Sequence, residues 1–234
     1  MKKRSNVRTI HPLVPRKPTR IITHRIAQIS ERRWLAQGIQ TKQTEGVHRF
    51  AFELPGVNPH KKSLARQDSQ QVQRIAVAAI HAISAFEPYR GNLADAKQYY
   101  ARRTADQIIR SRKILVGNEE VRRQGFNVEG CQDYSTALVA VLRARSIPCV
   151  FLRANDHSFV YFFTGREWLK ADPPSEKIER LPAHVAKRLP KGEEKITQEK
   201  HFGLGLDGWD IGIRGLNDFY KYYVARERAR ANGK

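Results

Sequence analysis

Cysteine is scarce in this chain. Only Cys131 and Cys149 occur among 234 residues, and they do not form a CxxC pair. That excludes a disulfide-stapled scaffold and a zinc ribbon or finger built on thiols, and it predicts two reduced thiols in a cytoplasmic setting. Long hydrophobic runs are missing as well. Stretches such as 76–80 span a few residues, whereas a bilayer crossing takes about 20, so no membrane span is expected. The basic start Met1-Lys2-Lys3-Arg4 is followed by Pro12, Pro15 and Pro18 in place of an apolar region, which argues against a secretory leader. The histidines lack metal-ligand spacing, His184 and His201 included, so neither a metal nor a cofactor is expected. Acidic residues are the remaining shortage: 23 Asp plus Glu face 43 Lys plus Arg, a formal charge of +20.

What the chain does contain is enough to fold. It is 40% hydrophobic, with three Trp, eight Tyr and ten Phe, more than a disordered chain carries. Residues 1–30 hold Lys2, Lys3, Arg4, Arg8, Arg16, Lys17, Arg20 and Arg25 and no carboxylate, which reads as a solvated, flexible basic arm. Residues 31–234 read as a single α+β domain. Val72, Ile75, Ala76, Ala79, Ile80 and Ile83 recur at helical spacing from about residue 70 until Glu87-Pro88. A second helix is expected over 93–112, with Tyr100, Thr104, Ile108 and Ile109 on one side. A third should start near Cys131 and end near Arg145-Ser146, before Pro148. Strands are expected over 149–152, 158–163 and 167–171, joined by tight turns at Asn155-Asp156 and Gly165. A helix followed by such strands implies helices packed on an antiparallel sheet.

Three residues in that frame point to chemistry. Cys131 falls in the first turn of its helix, where unpaired N–H groups favour thiolate over thiol. His157 stands at the beginning of the second strand, and Asp172 ends the third. Neighbouring antiparallel strands bring those two ends together, so the imidazole and the carboxylate should sit side by side. Cys131 would attack as thiolate, His157 would take up and return the proton, and Asp172 would orient the ring and stabilise its cation.

Gly130-Cys131-Gln132-Asp133-Tyr134, then Leu138, Leu142-Arg143-Ala144, Ile147-Pro148, His157, Trp168 and Asp172-Pro173, resemble the core of the transglutaminase-like superfamily, which shares the papain-like cysteine-proteinase fold. The resemblance spans about residues 93–174. It implies a Cys-His-Asp triad acting on protein or peptide amides through a thioester, by hydrolysis or by transfer to an amine. Ser146 stands where such proteins commonly carry glycine before Ile-Pro. The absence of CxxC motifs speaks against the zinc-bearing peptide N-glycanase branch, and the length leaves no room for the calcium sites and extra β-domains of animal transglutaminases. A compact prokaryotic-type, hydrolytic member fits better. The backbone N–H of Cys131 is the first oxyanion donor to consider. Gln124, which resembles the upstream glutamine of papain-like enzymes by position, and Tyr99 or Tyr100 are the side-chain candidates. Trp168 and Trp209 are candidates for the walls of the substrate cleft.

Two other patterns are read as structural. The 203–208 run matches the dinucleotide-binding spacing but has no strand before it and no helix after it, so a loop is expected. The stretch from Asn217 onward reads as a final helix packing its aromatic face. A different class of function follows from charge alone: a basic protein binding nucleic acid or another polyanion through its termini, with a vestigial or structural triad.

Overall fold

A computed structural model describes residues 33–57, 69–154, 157–181, 202–218 and 220. The basic arm over 1–30, His184, His201 and most of the helix expected from Asn217 lie outside the described residues. In chain order the elements are α1 (Glu45–Phe52), α2 (Ser69–Ser84), β1 (Glu87–Gly91), α3 (Leu93–Tyr99), α4 (Ala105–Ser111), β2 (Lys113–Gly117), α5 (Glu119–Arg123), α6 (Cys131–Ala144), β3 (Cys149–Ala154), β4 (His157–Phe163), β5 (Trp168–Asp172), β6 (Lys177–Arg180) and β7 (Phe202–Gly205). The fold is α+β, with helices packed on a five-stranded sheet.

Helix α6 is the centre of the molecule. Tyr134 alone among its residues escapes full burial, because α6 packs on β3 and β4 on one side and on α1, α2 and α4 on the other. Enclosed on both sides, the helix buries polar residues such as Asp133, Thr136 and Arg143 along with its apolar ones, and each of these three finds a hydrogen-bond partner. The sheet runs in the order β6-β5-β4-β3-β7, antiparallel at every step. Strand alternation divides its side chains. Cys149, Phe151, Val160, Phe162, Leu169 and Ala171 face α6 in the main core. Val150, Leu152, Tyr161 and Trp168 form a second cluster with Trp34 on the other face. Arg143, buried on α6, donates to the carbonyls of Trp34, Leu206 and Cys149 and to Thr41 Oγ1 at 2.8–3.1 Å, so one guanidinium, through four of its five N–H groups, ties distant segments together.

The expected helix around residues 70–83 and the one starting at Cys131 are present within a residue or two. Three expectations need correction. The single helix over 93–112 is two, α3 and α4, because Ala101 is left-handed at φ 53° and Thr104 restarts the chain. Thr104 Oγ1 accepts from the Gln107 N–H while the Gln107 side chain accepts from the Thr104 N–H, a reciprocal cap. Glu87-Pro88 does more than stop α2, since it opens β1, which pairs in parallel with β2. The glycine run at 203–208 begins as a strand, β7, on the edge of β3. Gly203 and Gly205 let the following turn fold back on them: a Cβ there would meet Ile211 Cδ1 at 2.9 Å and Asp210 Oδ2 at 2.7 Å. Glycine's poor strand propensity hides the element in the sequence. Among the described residues no helix is long and apolar enough to cross a membrane, and no group of three or more His, Cys, Asp or Glu could hold a metal ion.

Candidate active site

The start of α6 is fixed by a close approach. Gly130, the residue before the helix, is left-handed at φ 81°, and a Cβ there would lie 2.4 Å from Ile114 Cγ2 on β2. Only glycine meets both demands. Cys131 therefore occupies the first helical position, and the first helical hydrogen bond runs from the Tyr134 N–H to the Gly130 carbonyl. The N–H groups ahead of Tyr134 have no acceptor within the helix and give this end its partial positive charge. Asp133 anchors the same turn. Its carboxylate accepts from the Leu115 N–H at 2.9 Å and pairs with Arg103, holding the helix against β2. Burial raises its pKa against the opposing Arg103 charge.

The strands deliver the partners. His157 opens β4 and Asp172 closes β5, one step beyond the Val160–Ala171 pair. Their side chains meet on the diagonal, with Nε2 and Oδ1 at 2.8 Å. The imidazole also lies close enough to the Cys131 thiol for each to shift the other's titration. Cys131 is only 4% exposed, while the side chains of His157 and Asp172 are 29% and 19% exposed. Burial disfavours the His157 cation, but the Cys131 sulfur and the Asp172 carboxylate outweigh it and raise the pKa to about 9. Burial likewise opposes thiolate at Cys131. The Arg153 charge, the His157 hydrogen bond and charge and the Ser158 backbone N–H carry its pKa below the ordinary thiol value all the same. Cys149 contrasts with it: burial among core side chains, only partly offset by Arg143, pushes that thiol up to about 11. Neither cysteine forms a disulfide.

Tyr100 reaches the site. It is buried and feels the charges of Arg153 and Cys131, and burial raises its phenol pKa. Tyr99 packs only partly buried against the cluster around Val121 and Leu216, to which Tyr100 also belongs. Gln124 is not at the sulfur: it is the exposed C-terminal cap of α5. The turn at Gly125 and the extended stretch whose Val128 carbonyl accepts from Gly117 lead the chain away from it before Cys131. Trp168 is corrected too. It packs on Phe163 in the outer cluster, at the opposite end of β5 from Asp172 and about 13 Å along the strand. Trp209 lies in the loop whose Gly208 abuts the Gln132 amide, with its indole N–H on the Ala101 carbonyl at 2.6 Å.

Three polar residues at the sulfur escape sequence reasoning. Arg153 Nη1 donates to Cys131 Sγ at 3.5 Å and to Ser158 Oγ at 2.9 Å, and Ser158 Oγ reaches Gln132 Oε1 at 3.4 Å. All three residues are at most 2% exposed. The available signal was period two: Arg153 continues the inward series Cys149, Phe151, and a charge on a core face must have a partner.

No family model matches this chain, and no curated protein matches its sequence. Among solved structures, one described as a candidate cysteine protease from Cytophaga hutchinsonii is similar over 77% of this chain, with 14% identity and a TM-score of 0.45. The match covers 48% of that protein, so the chain spans about half its length.

Proposed function

We propose that the protein is a thiol-dependent acyl-transfer enzyme of the transglutaminase-like kind, hydrolysing amide or peptide bonds through a thioester on Cys131. One observation carries this reading: His157 Nε2 meets Asp172 Oδ1 at 2.8 Å, and the imidazole and the Cys131 thiol at the N-terminus of the central helix shift each other's titration. The Cys131 thiolate would attack the amide carbonyl carbon, placing a negative charge on its oxygen near the first N–H groups of α6. On collapse the C–N bond breaks, and the His157 imidazolium gives its proton to the departing nitrogen. The neutral imidazole then takes a proton from water as its oxygen attacks the thioester, and the C–S bond breaks to return the thiolate. Asp172 keeps the ring oriented and its cation favourable throughout.

Intact-mass spectrometry after exposure to peptide and amide libraries tests the proposal. The expected result is an acyl adduct on Cys131 that is absent in Cys131→Ala and discharged by water. Cys149 serves as the internal control, and iodoacetamide should label Cys131 much faster. Equal, slow labelling of both thiols with no adduct from any library would refute it.

A further inference from the structure

We infer that Arg153 is a second catalytic cation, holding the anionic sulfur of Cys131 from the β3 side while His157 holds it from β4. The inference rests on the proposed role of Cys131 and extends it to a residue the triad does not include.

The geometry carries it. Arg153 is 1% exposed, and its Nη1 divides its hydrogen bonding between the reacting sulfur at 3.5 Å and Ser158 Oγ at 2.9 Å. Cys131 on α6 and Ser158 on β4 both accept from this guanidinium, so its position is set by neighbours on two elements. A buried cation is costly unless an anion or several hydrogen bonds meet it, and a thiolate at Cys131 supplies negative charge at hydrogen-bonding distance. The charged and titratable groups that face the sulfur are Arg153 from β3, His157 from β4 with Asp172 behind it on β5, and Tyr100 from the α3–α4 link. Asp133, on α6 itself, is occupied by Arg103. Two cations therefore face the sulfur, and the adjacent carboxylates each have a partner of their own.

The two cations are not equivalent. A guanidinium does not give up its proton in proteins, so Arg153 cannot serve as acid or base. It can only lower the energy of the charged sulfur. His157 alone moves protons. Division of labour follows: Arg153 favours the thiolate before attack and again as the leaving group of deacylation, and His157 is released to protonate the departing nitrogen. A more stabilised thiolate is also a weaker nucleophile, with an exponent of about 0.4–0.5 per pKa unit. This cost identifies the effect.

The test is the pH profile of Cys131 alkylation by iodoacetamide, followed by peptide mass mapping in wild type, Arg153→Gln, Arg153→Lys and Ser158→Ala. In Arg153→Gln the midpoint should rise by at least about one pH unit, slowing labelling on the rising limb roughly threefold, the net of a tenfold smaller thiolate fraction and a more nucleophilic thiolate. The high-pH plateau should climb roughly threefold per unit. Arg153→Lys should restore part of the shift. Ser158→Ala removes one brace and keeps the charge, so a smaller upward shift is expected, and it covers the case in which Arg153→Gln does not fold. Profiles of Arg153→Gln and Ser158→Ala that superimpose on wild type overturn the inference. So does a lower midpoint in either. Because alkylation needs no substrate, a shifted profile with no acyl adduct in wild type would sink the proposed amide chemistry and leave the role of Arg153 standing.

Discussion

Replacing Asp172 by asparagine retains shape and an acceptor oxygen while removing the charge that faces His157 Nε2 at 2.8 Å. Two unit charges that close would interact by about 6 kcal/mol at an effective dielectric of 20, which is a ceiling. Both side chains retain some solvent contact, at 29% and 19% exposure. The loss should therefore fall in the range of hydrogen bonds to charged groups, about 1.5–3 kcal/mol. Converted to rate, that is about a 10- to 150-fold slower acylation of Cys131. The imidazolium is the species that loses support, so the His157 pKa should drop from about 9 toward its ordinary value. Heteronuclear NMR titration of the His157 ring and single-turnover acylation, or Cys131 alkylation at neutral pH, read the two effects on the same variant. A folded Asp172→Asn protein whose His157 titrates as in wild type would refute the reasoning, because the carboxylate would then contribute nothing to the cation.

Further outcomes follow from the same geometry. Acyl transfer should hold a plateau around neutrality and decline as pH rises through about 9, where His157 loses the proton it must give to the leaving nitrogen; a rate still climbing above that pH in steady-state assays would contradict this. The same raised pKa stabilises the fold fully below the ordinary histidine value of 6.5 and loses that contribution as pH rises through about 9, so denaturant midpoints should fall over that window in wild type and less in His157→Ala. Gly130→Ala places a Cβ 2.4 Å from Ile114 Cγ2 at φ 81° and should cost about 2 kcal/mol or more while displacing Cys131, measurable by urea unfolding and by loss of selective alkylation. Ser146, left-handed at φ 58°, occupies a conformation that costs a non-glycine residue about 1–2 kcal/mol. Ser146→Gly should recover about 0.5–1 kcal/mol after glycine's own entropic cost, seen as a higher Tm with unchanged Cys131 reactivity.

Period and punctuation in the chain were enough to place α2, α6 and the strands β3 to β5. Each is long or strongly patterned, and each ends at a proline or a turn residue that local sterics make a stop. The placement of His157 beside Asp172 was legible for the same reason, since both fall at ends of strands whose pairing follows from an antiparallel hairpin. What the chain did not disclose depends on contacts between segments far apart in sequence. The break between α3 and α4 turns on one left-handed alanine, and β7 is a glycine strand that exists because β3 offers it an edge. Gln124 and Trp168 resembled site residues by position, yet a turn and a strand face carry them elsewhere. Arg153 went unread because its significance lies in a hydrogen bond to a sulfur 22 residues away in sequence. Local sterics and hydrophobic periodicity are properties of neighbours in sequence, whereas the electrostatics of a buried sulfur are set by whichever charges the folded chain brings within a few ångströms of it.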